Sequence, residues 1–302
     1  MACGIKTDDS AWCWGTNRHG VLGDGSGTYQ TAPVQVAGNH EWISLDTSGA
    51  DSAVCGITLE RRGYCWGWGV RNGLGNGSTD EHDEPTPKPL AGLRLGRWVT
   101  LTVDLGVACG LQSDGSAWCW GIAFLGQGAE SQDVPNATRA AGSTRWSQLA
   151  VGGLRDDEYV DNVICGIDSS GITRCWGDAY AEMIGDGQAH DVNSEVLTPR
   201  TVAGGHRFTT VWVGYVAVCA LDDAHAIWCW GSNDVGNFGN GQRYPGNRPD
   251  SLVPVPGGFG HLWNSVSIDG RTCGIAVDGS AWCWGGNGKG DGGPVLPVEV
   301  TT

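Results

Sequence analysis

Twelve cysteines are the residues of this 302-residue chain whose type and spacing are best suited to chemistry. They fall into six pairs, each with its members ten positions apart: Cys3 and Cys13, Cys55 and Cys65, Cys109 and Cys119, Cys165 and Cys175, Cys219 and Cys229, Cys273 and Cys283. Thiols in pairs can close disulfides, ligate a metal or fill a core. A zinc site needs four ligands and usually draws them from closely spaced CxxC motifs. Here each pair stands alone, with no regular histidine partner and no cysteine left over as a nucleophile. Six disulfides are the leading reading, and metal ligation or reduced core thiols are the alternatives.

The segments that must position these thiols are visible around them. Between Cys109 and Cys119 the chain reads Gly-Leu-Gln-Ser-Asp-Gly-Ser-Ala-Trp, and Cys273 to Cys283 encloses a near copy. Ser-Asp-Gly between two alternating segments predicts a hairpin: a tight turn, then Gly115 in the left-handed region. With Asp114 at its centre, Gln112 faces Ser116, Leu111 faces Ala117 and Cys109 faces Cys119. Opposed residues on antiparallel strands have Cβ atoms about 4.5–5.5 Å apart, close to the span a disulfide needs. Register therefore pairs each cysteine with its own partner across one hairpin.

The whole unit repeats. Successive first cysteines lie 52, 54, 56, 54 and 54 residues apart, and Trp-Gly follows every second cysteine. A Gly-[Asp/Asn]-Gly turn follows in five units, while the third carries Gly126-Gln127-Gly128. Next come proline-led alternating segments from Pro33, Pro199 and Pro297. Aromatic-led ones start at Trp42, Trp98, Trp146, Phe208 and Trp263. Four short alternating segments per unit of this length predict an all-β fold: a single β-propeller over residues 1–302 with six blades of about four antiparallel strands. The repeats start near 1, 42, 98, 146, 208 and 263. With 51 glycines and this alternation, helical solenoids are excluded. The aromatic-led segment occurs five times against six Cys-Gly segments. The first blade is accordingly expected to have three strands, unless the chain starts inside a unit. Blade closure then predicts Cys3 and Val300 in the same or adjacent blades.

At these residues the sequence resembles the regulator-of-chromosome-condensation (RCC1) repeat family of β-propellers. The matching pattern is the Cys-Gly-Ile strand followed by Trp-Gly-x-Asn-x-x-Gly-x-Leu-Gly-x-Gly, as in WGTNRHGVLGDG from Trp14 and WGSNDVGNFGNG from Trp230. The resemblance covers nearly all of the chain and implies a fold more strongly than a function. Family members are most often seven-bladed, whereas six units are present here. The founding members act on a small GTPase and on chromatin; the acidic charge and the paired cysteines speak against both roles. The plant ultraviolet receptor of this fold uses Gly-Trp-Arg-His-Thr motifs, and none occurs here, so the 16 tryptophans are expected to be structural. A bacterial secreted member, a β-lactamase inhibitor, binds by loops on one face, and the resemblance implies a similar mode.

Repeat proteins hold the scaffold constant and vary the loops. The residues after Trp-Gly vary most, and equivalent loops of a propeller emerge together. They predict a ring of His19, Trp68, Arg71, Phe124, Tyr180, Asp234 and Lys289, rich in the Trp, Tyr and Arg that anchor protein interfaces. The plainer reading is turn variation with aromatics tucked between blades. Phe238 aligns with Leu22, Leu74 and Ile184 and is structural. An insertion lengthens the Trp146–Cys165 spacing to 19 residues, against 13, 11, 11 and 10 in the other units. Its Asp156, Asp157, Glu158 and Asp161 could ligate Ca²⁺, although they match no EF-hand loop and a solvated acidic loop is the simpler reading. His82, among Asp80, Glu81, Asp83 and Glu84, is likewise a metal ligand or a member of a polar loop. Asn76 and Asn136 open glycosylation sequons.

The net charge of −15 repels nucleic acid and anionic membrane. No run of 18 apolar residues occurs, so no membrane-spanning helix is expected. No nucleophile elbow, P-loop or HExxH appears, and the histidines at 19, 40, 82, 190, 206, 225 and 261 read as falling at different phases of the repeat. The expected protein is non-catalytic and needs no cofactor. It is extracellular, periplasmic or cell-surface, and it binds a protein partner through loops on one face. A carbohydrate-binding propeller is the alternative, and a hydrolase or lyase with a hidden carboxylate pair comes third.

Overall fold

The structure is a computed structural model. It describes residues 1–48, 52–92, 97–104, 106–128, 132–153, 162–191, 194–242, 251–268, 271–286 and 296–300. Asp156, Asp157, Glu158, Asp161 and Lys289 lie outside the described residues.

Alternation and turn chemistry build six antiparallel sheets. The first contains β1 (Ala2–Ile5), β2 (Ala11–Gly15) and β3 (Gln30–Gln35). The second contains β4 (Trp42–Thr47), β5 (Ala53–Thr58), β6 (Gly63–Trp68) and β7 (Asp83–Pro89). The third contains β8 (Trp98–Asp104), β9 (Val107–Gln112), β10 (Ala117–Ala123) and β11 (Gln132–Ala140). The fourth contains β12 (Trp146–Gly152), β13 (Val163–Asp168), β14 (Thr173–Asp178) and β15 (Glu195–Thr201). The fifth contains β16 (Phe208–Val213), β17 (Ala217–Asp222), β18 (Ile227–Gly231) and β19 (Ser251–Pro256). The sixth contains β20 (Trp263–Ile268), β21 (Thr272–Ala276), β22 (Ala281–Trp284) and β23 (Val298–Glu299). Neighbours in sequence are neighbours in each sheet, and the fold is a six-bladed β-propeller. The chain divides into two compact units, Met1–Val151 and Gly152–Thr302.

The first sheet has three strands, as the segment count implied. Cys3 lies in that sheet, whereas the Val300 N–H donates to Ala281 of the sixth, so the two ends of the chain do not share a sheet.

All six expected disulfides are present, from Cys3–Cys13 to Cys273–Cys283. Register is the reason: in the third sheet Leu111 pairs with Ala117 and Cys109 with Cys119. The Gly115 N–H closes the turn on Gln112 O, with Gly115 at φ +79°. Side chains reinforce these turns. Asp114 accepts from the Ser116 hydroxyl, which in turn accepts the Trp118 indole N–H; Asp278, Ser280 and Trp282 repeat the relay.

Within each unit, blades are joined by tryptophans that follow a second cysteine. Trp66 Nε1 donates to Val21 O and Trp120 Nε1 to Gly73 O in the first unit. Trp230 does the same to Met183 O and Trp284 to Asn237 O in the second. The Gly-x-Gly turn exists to admit that ring. A Cβ on Gly75, itself at φ +59°, would lie 2.6 Å from Trp120. The aromatic-led strands supply the rest of the core: Trp42, Trp98 and Trp263 are fully buried. Asp46 on β4 accepts the Val103 N–H of β8 at 2.7 Å, tying two consecutive blades. Burial pushes its carboxyl up to about 6, against the opposing pull of that N–H and the Thr102 hydroxyl.

Candidate functional site

Three of the loops that follow Trp-Gly form short 3-10 turns. η1 spans Arg18–Gly20, η2 Val70–Asn72 and η3 Tyr180–Glu182. The middle residue of each is left-handed without being glycine: His19 at φ +65°, Arg71 at +47° and Ala181 at +52°. That conformation costs a residue with a Cβ of order 1 kcal/mol and tends to be kept where a side chain is needed. His19 and Arg71 are therefore held on turns that glycine would fill with less strain.

Blade contact in the first unit then assembles a small site. Trp68 ends β6 and pairs across the sheet with Asp83, the first residue of β7. His19, from the preceding blade, stacks on Trp68 with ring centroids 4.7 Å apart and planes 10° from parallel. Its Nδ1 lies 2.8 Å from Asp83 Oδ1. Asn17 supports the loop beneath: its amide carbonyl accepts the Leu22 N–H while its NH₂ group donates to Ser26. Asn233 makes the equivalent bonds to Phe238 and Gln242 in the second unit. The resulting surface joins a half-buried indole, an imidazole and an exposed carboxylate, and the exposed Arg71 lies three residues further along the same loop. This combination suits protein recognition, since it offers a flat apolar platform rimmed by charge.

The other expected positions divide. Asp234 is exposed on its loop in the second unit. Tyr180 opens η3. Phe124 is 2% exposed and does not belong to a surface ring. The third repeat has fewer residues between Trp-Gly and Gly126, so aligning backwards from that glycine sets Phe124 where Val21 and Met183 stand, both fully buried. Phe238 is buried as its alignment with Leu22 implied.

Histidine phase also differs from the sequence reading. His40, His206 and His261 each lie two residues before an aromatic that leads a strand. Each packs on the aromatic one position before a second cysteine: Tyr64 at 4.4 Å, Trp228 at 4.0 Å and Trp282 at 4.5 Å between centroids. Three of the seven histidines thus share one repeat position and a packing role.

His82 belongs to a polar cluster: its Nε2 is 3.1 Å from Glu84 Oε1, and Glu84 also meets Lys88. Among the described residues no group of three His, Cys, Asp or Glu is arranged to hold a metal ion, and no helix is long and apolar enough to cross a membrane. Asn76 and Asn136 form an isolated bridge between the second and third blades.

No family model matches the chain. It is 25% identical over 299 residues to the ultraviolet-B receptor UVR8 of Arabidopsis thaliana, covering 94% of this chain and 62% of that protein. It is 25% identical over 265 residues to the human E3 ubiquitin-protein ligase HERC2, covering 84% of this chain but 5% of the ligase. The chain thus spans about three-fifths of the first relative and a small part of the second. Among solved structures it superposes on Saccharomyces cerevisiae Prp20p, a protein with binding properties to Gsp1p and histones. That match has a TM-score of 0.79 at 17% identity and covers 99% of this chain and 76% of Prp20p. The repeat pattern, the blade topology and these likenesses agree: the chain is a β-propeller of RCC1-type repeats.

Proposed function

We propose that this propeller is a single non-catalytic binding domain of an oxidising compartment, secreted or at the cell surface, that recognises a protein partner through the loops after Trp-Gly. The observation that carries the reading is the His19–Trp68 stack with Asp83 at its edge. Left-handed, non-glycine residues at the tips of these loops are conformationally expensive, which suits side chains retained for contact. Prp20p, with its binding to Gsp1p and histones, provides a precedent for a propeller of this kind as a protein-binding platform. The six disulfides favour an oxidising compartment over the cytosol.

A carbohydrate platform receives less support. The repeated half-buried indoles Trp12, Trp118 and Trp282 donate to Ser10, Ser116 and Ser280 and so have their polar edge committed to the turn.

The test is capture from the native extracellular fraction by wild type, by Trp68→Ala and by Trp212→Phe, a half-buried change away from the loops. Proteins recovered by wild type and by Trp212→Phe but lost with Trp68→Ala support the reading. Recovery of the same proteins by all three contradicts it.

A further inference from the structure

A second site lies at the other end of β6. The β5–β6 turn opens a cavity of about 440 Å³ whose lining includes Glu60, Arg61, Arg62, Tyr64, Pro89 and Arg97. It is separated from Trp68 by the length of the strand, roughly 15–20 Å. In a chain with 18 Lys and Arg against 33 Asp and Glu, three guanidiniums beside one carboxylate reverse the local sign of charge.

The hairpin departs from its repeat in several respects at once. Two other turns carry Asp-Gly-Ser, with Asp114 or Asp278 bonded to the turn serine and a tryptophan donating to that serine. Here Glu60-Arg61-Arg62 replaces the turn and Tyr64 replaces the tryptophan. The turn is nonetheless held firmly. The Arg61 N–H donates to Thr58 O, the Thr58 N–H donates to Arg62 O, and Arg61 O accepts the Trp98 N–H. The last bond fixes Arg97 beside the turn, because Arg97 immediately precedes Trp98. Arg61 sits at φ +64°, the left-handed turn position that Asp9, Gly115, His225 and Gly279 occupy in other hairpins. Among the described residues no carboxylate is within ion-pair distance of Arg61, Arg62 or Arg97. Glu60 is held below its usual range chiefly by its own backbone N–H and the Thr58 hydroxyl, with Arg62 adding a smaller pull, so it stays ionised.

We propose that this cavity binds a phosphomonoester dianion between Arg61, Arg62 and Arg97, with Tyr64 alongside. Guanidinium forks match phosphate oxygens in pairs, which makes arginine the side chain suited to such a group. Three guanidiniums against Glu60 leave two positive charges in excess, equal to the charge of a phosphomonoester above its second pKa of about 6. A sulfate ester carries one charge and is the weaker ligand. The site is independent of the Trp68 surface and stands or falls separately from the reading of that surface.

The experiment is isothermal titration of the disulfide-intact chain with phenyl phosphate, phenyl sulfate and a phosphoserine peptide at pH 7.5 and constant ionic strength. Saturable binding of phenyl phosphate is expected, at least tenfold tighter than phenyl sulfate and weakening below pH 6. Arg61→Asn, which tolerates the left-handed turn, and Arg97→Gln should each weaken it about tenfold; Arg200→Gln, an exposed change in the other unit, should leave it unchanged. If Arg61→Asn fails to fold, Arg97→Gln alone decides. A peptide that binds tighter than phenyl phosphate identifies a phosphorylated protein as the source of the group, and a weaker peptide identifies a small phosphate ester. No saturation by either phosphate ligand, equal affinity for the sulfate ester, or full affinity in Arg97→Gln would overturn the proposal.

Discussion

Trp120 donates its indole N–H to the carbonyl of Gly73, 3.0 Å away and 47 residues earlier in the chain. Trp230 and Trp284 repeat the bond at the same separation, and Trp66 at 45 residues. One residue type at one repeat position thus links each of these blades to the blade before it. The matching Gly-x-Gly turn is the receptor for that ring.

This relationship ranks two tryptophans that are equally buried. Trp98 is also fully buried, yet its Nε1 has no partner among the described residues, and Phe208 already occupies the same position in the fifth blade. Trp98→Phe therefore removes an unsatisfied donor, whereas Trp120→Phe strands the Gly73 carbonyl. Trp120→Phe is expected to cost about 1–2 kcal/mol more than Trp98→Phe in denaturant unfolding. Equal costs would show that the bond contributes nothing.

Each disulfide spans ten residues, so each closes a short loop. The chain-entropy estimate for such a loop is roughly 2–3 kcal/mol per bridge. Cys55→Ala with Cys65→Ala should lower the melting temperature by several degrees, and full reduction should lower it much further. A reduced sample that melts with the oxidised one would remove the argument for an oxidising compartment.

Asp46 gives the fold a pH dependence of known sign. Its carboxyl is raised from the usual 3.8 to about 6 in the folded chain, so between those values the folded state holds the proton more tightly than the unfolded. The neutral form's contribution to stability is complete below pH 3.8 and is lost as pH rises through 6. Asp46→Asn should flatten that stretch of the stability profile, so that the variant gains on wild type between pH 4 and 7. A constant difference in urea midpoint over that range would contradict the assignment.

Arg71 should show stability and binding in opposition. At φ +47° glycine is less strained than arginine, so Arg71→Gly is expected to stabilise by up to about 1 kcal/mol, read as a rise of a few degrees in melting temperature. The same change should reduce capture of the partner. Destabilisation would mean that the arginine serves the fold.

The cysteine pairing was legible because strand register has a period of two: once Asp114 is placed at the turn, Cys109 and Cys119 must face each other. The Trp-Gly and Gly-x-Gly positions were legible for a similar reason, being fixed by local turn geometry and repeated in step. Phe124 was misread because a shortened loop was counted forward from its tryptophan, while the buried position is set by the glycine turn beyond it. The shared phase of His40, His206 and His261 appears only when they are counted from the aromatic that follows, since inter-strand spacing varies between units. The His19–Trp68–Asp83 contact joins residues up to 64 positions apart and depends on how consecutive blades pack. The arginine cavity likewise unites a turn with a loop from the next blade, although Leu-Glu-Arg-Arg-Gly in place of Ser-Asp-Gly was its visible trace.

The claim that the Trp-Gly loops carry the function is tested most directly by site-specific photo-crosslinking in the native extracellular fraction. A benzophenone side chain replaces Arg71 in one sample and Thr7, exposed on the β1–β2 turn at the other end of its blade, in a second. A discrete crosslinked protein from position 71 that is absent from position 7 is the predicted result. Crosslinks from position 7 alone, or the same products from both, would contradict it.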